Sequence, residues 1–189
     1  MDSEELANQE ANKVLMRPWQ RELEEELQGP ADPRQVIVYV DPVGNRGKSF
    51  FKNTYCAKYP KTTLCYEEGR SADIKHVISH LGYEPRVIFL DLSRQVLNAK
   101  YDDVDYNLIE TLKNRCFTST KYGGSNICLR ENVHFVIFSN HDLKWRNMSM
   151  DRWVVRVFVD DDHVTEKECK SLMKRTHRTK TQQQWSDDD

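Results

Sequence analysis

No stretch of this 189-residue chain approaches the roughly 20 apolar residues that a membrane-crossing helix needs. Cysteine is scarce and unpatterned. The five residues, Cys56, Cys65, Cys116, Cys128 and Cys169, are odd in number and never fall in a C-x-x-C pair. That distribution predicts neither a disulfide framework nor a zinc site, and it suits a soluble protein in a reducing compartment. An excess of charge of either sign is also missing. With 28 Lys and Arg against 30 Asp and Glu, the formal net charge is −2, so the basic footprint common to nucleic-acid binders is absent. There is no internal repeat, and the acidic, polar start at Met1–Glu10 does not read as a secretory signal. What remains, 38% hydrophobic and 31% charged, is enough for one ordinary domain with appendages.

Three zones separate by composition. Residues 1–32 are acidic and helix-prone, with Leu15, Trp19, Leu23 and Leu27 four apart on one face. Gly29-Pro30-Ala31-Asp32-Pro33 then breaks the helix and reads as a linker. Residues 33–162 alternate short apolar runs (Val36–Val40, Thr63–Tyr66, Val87–Leu90, Phe135–Phe138, Val154–Val159) with polar, helix-like segments. This spacing predicts βαβ units around a mostly parallel, five-stranded sheet flanked by helices. A helix is expected over Asp105–Asn114, followed by a hairpin turning at Lys121-Tyr122-Gly123-Gly124. Residues 163–189 form a polar tail whose basic stretch, Lys174–Arg178, reads as a solvated surface.

The chemistry concentrates after the first apolar run. Asp41-Pro42-Val43-Gly44-Asn45-Arg46-Gly47-Lys48-Ser49 joins a strand to a helix beginning near Phe50. Glycines in such a loop let backbone N–H groups turn inward as an anion nest, and a helix N-terminus adds free donors. Gly44, Asn45, Arg46, Gly47, Lys48, Ser49 and Phe50 are therefore the candidate nucleotide-binding residues of a P-loop. Lys48 would reach the outer phosphates and the Ser49 hydroxyl would ligate Mg²⁺. The common G-x-x-x-x-G-K-[ST] spacing is not met, because Pro42 stands where its first glycine belongs. Asp41 stands where a longer variant would begin, a local repulsive charge.

Two later strands supply partners. Arg86-Val87-Ile88-Phe89-Leu90-Asp91 ends in an acid suited to positioning Mg²⁺, with Leu92 where a second acid often stands. The general base is thus unassigned, and Glu67, Glu68, Asp102 and Asp103 are weak candidates. His134–Ser139 leads into Asn140, which can orient a water against the γ-phosphate. Arg152 is a candidate arginine finger, with Arg146 and Arg156 as competitors.

Taken in order, these features resemble the superfamily 3 helicases. More narrowly they resemble the helicase half of replication initiator (Rep) proteins of small circular single-stranded DNA viruses, their satellites and related plasmids. The resemblance rests on Arg17-Pro18-Trp19-Gln20, Gly44–Ser49, Ile88–Arg94 and Lys113-Asn114 through Lys121-Tyr122-Gly123, and covers about residues 14–160. It implies an AAA+ fold with the Asn140 strand between the strands of Asp91 and the phosphate loop. It also implies ATP and Mg²⁺ as cofactors, ATPase sites between subunits of a ring such as a hexamer, and residues 1–32 aiding assembly. Lys121 and Tyr122 would grip single-stranded DNA during 3′-to-5′ translocation, and a viral protein of this kind would work in the host nucleus. The endonuclease half of such initiators carries a His-hydrophobe-His pair, which is missing here, so the chain reads as a helicase module without its endonuclease domain. The alternative is a module that binds nucleotide and oligomerises without helicase activity.

Overall fold

A computed structural model describes residues 16–66, 71–92, 104–121, 124–168 and 171–172. Helix α1 (Pro18–Gln28) starts with proline at its first position, where the missing N–H costs no intrahelical bond, and stops before Gly29. The strands β1 (Val36–Val40), β2 (Thr63–Tyr66), β3 (Val87–Asp91), β6 (His134–Ser139) and β7 (Trp153–Phe158) coincide with the five apolar runs. Helices α2 (Lys48–Lys58), α3 (Ser71–His80) and α4 (Tyr106–Lys113) lie between them. The Asp105 side chain caps α4 by accepting the Leu108 N–H.

The sheet has six strands rather than five, in the order β2-β3-β6-β1-β7-β8. The sixth, β8 (Val164–Lys167), pairs antiparallel with β7 at the edge. Its sequence Val-Thr-Glu-Lys has no apolar run, because a strand at the edge with mostly solvated side chains needs none. All other pairings are parallel, and β6 lies between β1 and β3, as the resemblance implies for the Asn140 strand.

Alternate residues of each central strand feed opposite cores. Val36, Val38 and Val40 face the side covered by α3 and α4, packing with Ile74, Ile78, Leu108 and Leu112. Ile37 and Tyr39 face the side covered by α1 and α2, packing with Trp19, Leu23, Leu27 and Phe51. This explains why the strands read as unbroken apolar runs.

A separate hairpin, β4 (Cys116–Ser119) and β5 (Ser125–Cys128), pairs antiparallel with Cys116 opposite Cys128. These two cysteines are joined as a disulfide, and so are Cys56 of α2 and Cys65 of β2. That corrects the expectation of unpaired thiols. One pair meets by cross-strand register and the other by packing of a helix against the sheet, and neither shows in linear spacing.

Candidate functional site

Parallel strands end together, so the residues just beyond β1, β3 and β6 gather at one edge of the sheet. Asp41 comes directly after β1, Asp91 ends β3 and Asn140 comes directly after β6. The Asp41 N–H donates to the Ser139 carbonyl at 2.9 Å, and the Leu92 N–H to the Phe138 carbonyl at 2.9 Å, extending the ladders up to the site.

The loop between Asp41 and α2 takes its shape from left-handed backbone at Gly44 (φ 85°), Asn45 (φ 66°) and Gly47 (φ 83°). Glycine adopts this region freely and asparagine tolerates it, whereas most residues do not. Gly47 is also the residue that caps α2, so the first turn of that helix opens directly into the loop.

Lys48 reaches across the end of the sheet. Its Nζ donates to Asp41 Oδ2 at 2.7 Å and to Asn140 Oδ1 at 2.8 Å. Ser49 Oγ donates to Asp91 Oδ2 at a long 3.4 Å, and the Ser49 and Phe50 side chains are exposed. One turn beyond Lys48, the buried Lys52 pairs with Asp91 at 2.8 Å. Sequence reasoning does not single out this lysine, although its i+4 spacing from Lys48 places it on the same helix face. Arg46 Nε lies 3.8 Å from Asp41 Oδ1 and 3.7 Å from Asp161 Oδ1, with its guanidinium 5.7 Å from the Phe158 ring. Its Nη1 is buried with no hydrogen-bond partner among the described residues.

Asp41 is the acid at the centre, fully buried. Burial pushes its carboxyl up, but the Lys48 ammonium, the Gly44 N–H and Arg46 outweigh that and hold it below the usual carboxylate range.

Helix α1 braces the loop from outside. Gln20 Nε2 donates to the Gly47 carbonyl at 2.9 Å, and Gln20 Oε1 accepts the Arg17 N–H at 2.9 Å. Arg17 also pairs with Asp161 at 3.3 Å. Beneath them Trp19 sits within 5.1 Å, ring to ring, of Tyr39 and Phe158. Within Arg17-Pro18-Trp19-Gln20 it is Gln20 that holds the loop directly, a role its sequence position alone does not show.

Other candidates lie elsewhere. Arg152 directly precedes β7, whose first residue Trp153 is level with Val36, the residue of β1 farthest from the loop. It approaches Glu110 of α4 at 3.7 Å, and two of its nitrogens are buried without hydrogen-bond partners among the described residues. Arg156 is engaged with Glu26 at 2.6 Å, with Tyr39 and with Glu166, which ties β7 to α1 and β8. Lys121, at the hairpin turn, is paired with Asp73 of α3. Tyr122, the four weak candidates for the general base, and the basic stretch of the tail lie outside the described residues.

The donor set fits a polyphosphate and a hard divalent cation. The Gly44 amide turned into the loop, the Lys48 ammonium and the Arg46 Nη1, which has no hydrogen-bond partner among the described residues, could suit phosphate oxygens. The Ser49 hydroxyl beside the Asp91 carboxylate suits Mg²⁺.

No protein-family model matches the chain. It is 33% identical over 147 residues to Para-Rep C1 of Faba bean necrotic yellows C1 alphasatellite, covering 77% of this chain and 49% of that protein. It is 32% identical over 148 residues to Para-Rep C2 of Milk vetch dwarf C2 alphasatellite, with 77% and 49% covered. Para-Rep C2 of Subterranean clover stunt C2 alphasatellite is 32% identical over 142 residues, with 74% and 47% covered. The chain spans about half the length of the curated relatives it matches. Over about three quarters of its own length, this chain is a homologue of the Para-Rep proteins of alphasatellites.

Proposed function

We propose that this chain is the ATP-driven DNA helicase module of a Rep-type replication initiator, built on a P-loop fold of the AAA+ type. The observation that carries the reading is the convergence of Lys48, Ser49, Asp91 and Asn140 at one edge of a parallel sheet, around a loop with three left-handed residues. The relatives' name, Para-Rep, supports the replication role.

In this reading the loop amides and Lys48 bind the outer phosphates of ATP, and Ser49 and Asp91 hold Mg²⁺. The cation, when bound, neutralises charge on the phosphates. Asn140, held by Lys48, orients the attacking water. Its proton acceptor is unassigned, since Leu92 is the residue after Asp91. Arg152, a strand's length of about 15 Å from its own loop, serves the phosphate site of a neighbouring subunit in a ring-shaped homo-oligomer, a hexamer by resemblance. Lys121 leaves Asp73 to contact phosphates of single-stranded DNA, with Tyr122 as a stacking face. An endonuclease domain of the full-length initiator is the expected companion, and the host nucleus the expected place of action.

Strand displacement on duplexes with either a 3′ or a 5′ single-stranded tail tests this reading. ATP-dependent unwinding that requires the 3′ tail on the translocated strand is expected. Nucleotide binding without unwinding of either substrate would favour the second reading, a nucleotide-binding assembly module. The ion pairs that Lys48 and Asp91 already make within the chain speak for that reading.

A further inference from the structure

We infer that Asp41 is an internal stand-in for a phosphate, so that the loop holds its own competing anion and takes nucleotide only when that carboxylate is displaced. The inference rests on reading the loop as a phosphate site and concerns what sets its affinity.

Three observations carry it. Asp41 Oδ2 accepts from Lys48 Nζ at 2.7 Å, and Lys48 is the cation the site offers to phosphate. Asp41 Oδ1 accepts the Gly44 N–H at 2.7 Å, an amide of the loop itself. The same oxygen lies 3.8 Å from Arg46. An ammonium, a loop amide and a guanidinium around one anion are the donor types that a bound phosphate would recruit. The carboxylate that takes them is fully buried and sits directly after β1, with its backbone fixed to Ser139. Displacement is therefore a side-chain rotation and not a movement of the strand.

The electrostatics run in one direction. Lys48 and Arg46 would give the loop two positive charges, and Asp41 cancels one of them inside the cradle. Asp161 stands 3.7 Å from Arg46 and answers the other from the rim. An incoming polyphosphate meets a carboxylate at short range in a partly desolvated site, where charge–charge repulsion is poorly screened. Removing the Asp41 charge leaves the geometry of the loop to the left-handed residues and to Gln20, and frees Lys48 for the ligand.

The test is equilibrium binding of a fluorescent ATP analogue with Mg²⁺ to the full chain and to its Asp41→Asn and Asp41→Ala variants, with thermal melts confirming that each is folded. The variants are expected to bind about tenfold more tightly, a difference of about 1.4 kcal/mol. Unchanged or weaker binding by folded variants, beside clear binding by the parent chain, overturns the inference and leaves the phosphate-site reading intact. No binding by any of the three proteins removes that reading and the inference with it. A structure of the unsubstituted chain with nucleotide is the second measurement: Asp41 must have left Lys48, and a retained pair refutes displacement even if a variant fails to fold.

Discussion

Gly47 carries two constraints at once. Its φ of 83° lies where side chains are strained, and an added Cβ would come within 2.8 Å of Gln20 Nε2. Gly47→Ala should therefore cost about 1–2 kcal/mol from backbone strain alone and push Gln20 off the loop. A lowered melting temperature together with weaker ATP binding is the expected result. Gln20→Ala in the same chain should relieve the clash and recover only part of the loss, since the backbone strain remains. Lys113 offers a pH-dependent prediction. It is buried, and its Nζ donates to the carbonyls of Asp32 and Val133 at 2.6 and 2.8 Å. Burial pushes its ammonium down to about 8 from an ordinary 10.5, with Asp32 opposing that shift and Arg152 adding to it. The unfolded chain then holds a proton that the folded chain releases as pH rises past 8. Stability linked to this group rises between about pH 8 and 10, and the cost of burying the charged form is fully present below that window. Urea melts across the window should show this rise in the parent chain and lose it in Lys113→Met; a slope identical in both proteins would contradict it.

At the scale of elements, α1 is the piece whose role sequence patterning most understates. Leu23, Leu27 and Trp19 are legible as one face of a helix, but the surface that this face covers is not. That surface is the α2 side of the sheet, where Trp19, Leu23 and Leu27 pack with Ile37, Tyr39 and Phe51. Trp19→Ala should destabilise the chain by about 3–5 kcal/mol and loosen Gln20 from Gly47 with it. The expected signature is a lower melting temperature and faster proteolysis of the segment before β1, with the rest of the sheet cut later. Strands β1, β3 and β6 are readable because each lies inside the sheet and is buried on both faces, which makes its apolar run continuous. Strand β8 is not, because an edge strand can be polar. The cysteine pairs are also hidden, since a cross-strand partner is set by register that spacing does not encode.

For the whole molecule, the candidate site is legible to a useful degree. Lys48, Ser49, Asp91 and Asn140 emerge from the strand–loop–helix pattern, and they do converge. The contacts Lys52–Asp91 and Gln20–Gly47 require the packing of two helices to become visible. Arg152 lies at the far end of β7 from the loop of its own chain. If it completes a site, that site belongs to a second copy. Sedimentation with ATP and Mg²⁺ should then show a ring-sized assembly. Arg152→Ala should still assemble and bind nucleotide, yet lose turnover by about 10³-fold or more. A monomer that turns over ATP at full rate would contradict an inter-subunit role.

The central claim, that the loop after β1 is the seat of an ATP-driven motor, is tested most directly by phosphate release. The parent chain and Lys48→Ala would be compared with Mg²⁺ and ATP, with and without single-stranded DNA. Turnover stimulated by DNA in the parent chain and absent from the variant is the predicted result. No turnover in either protein, at concentrations where the chain assembles, or equal turnover in both, would contradict the account.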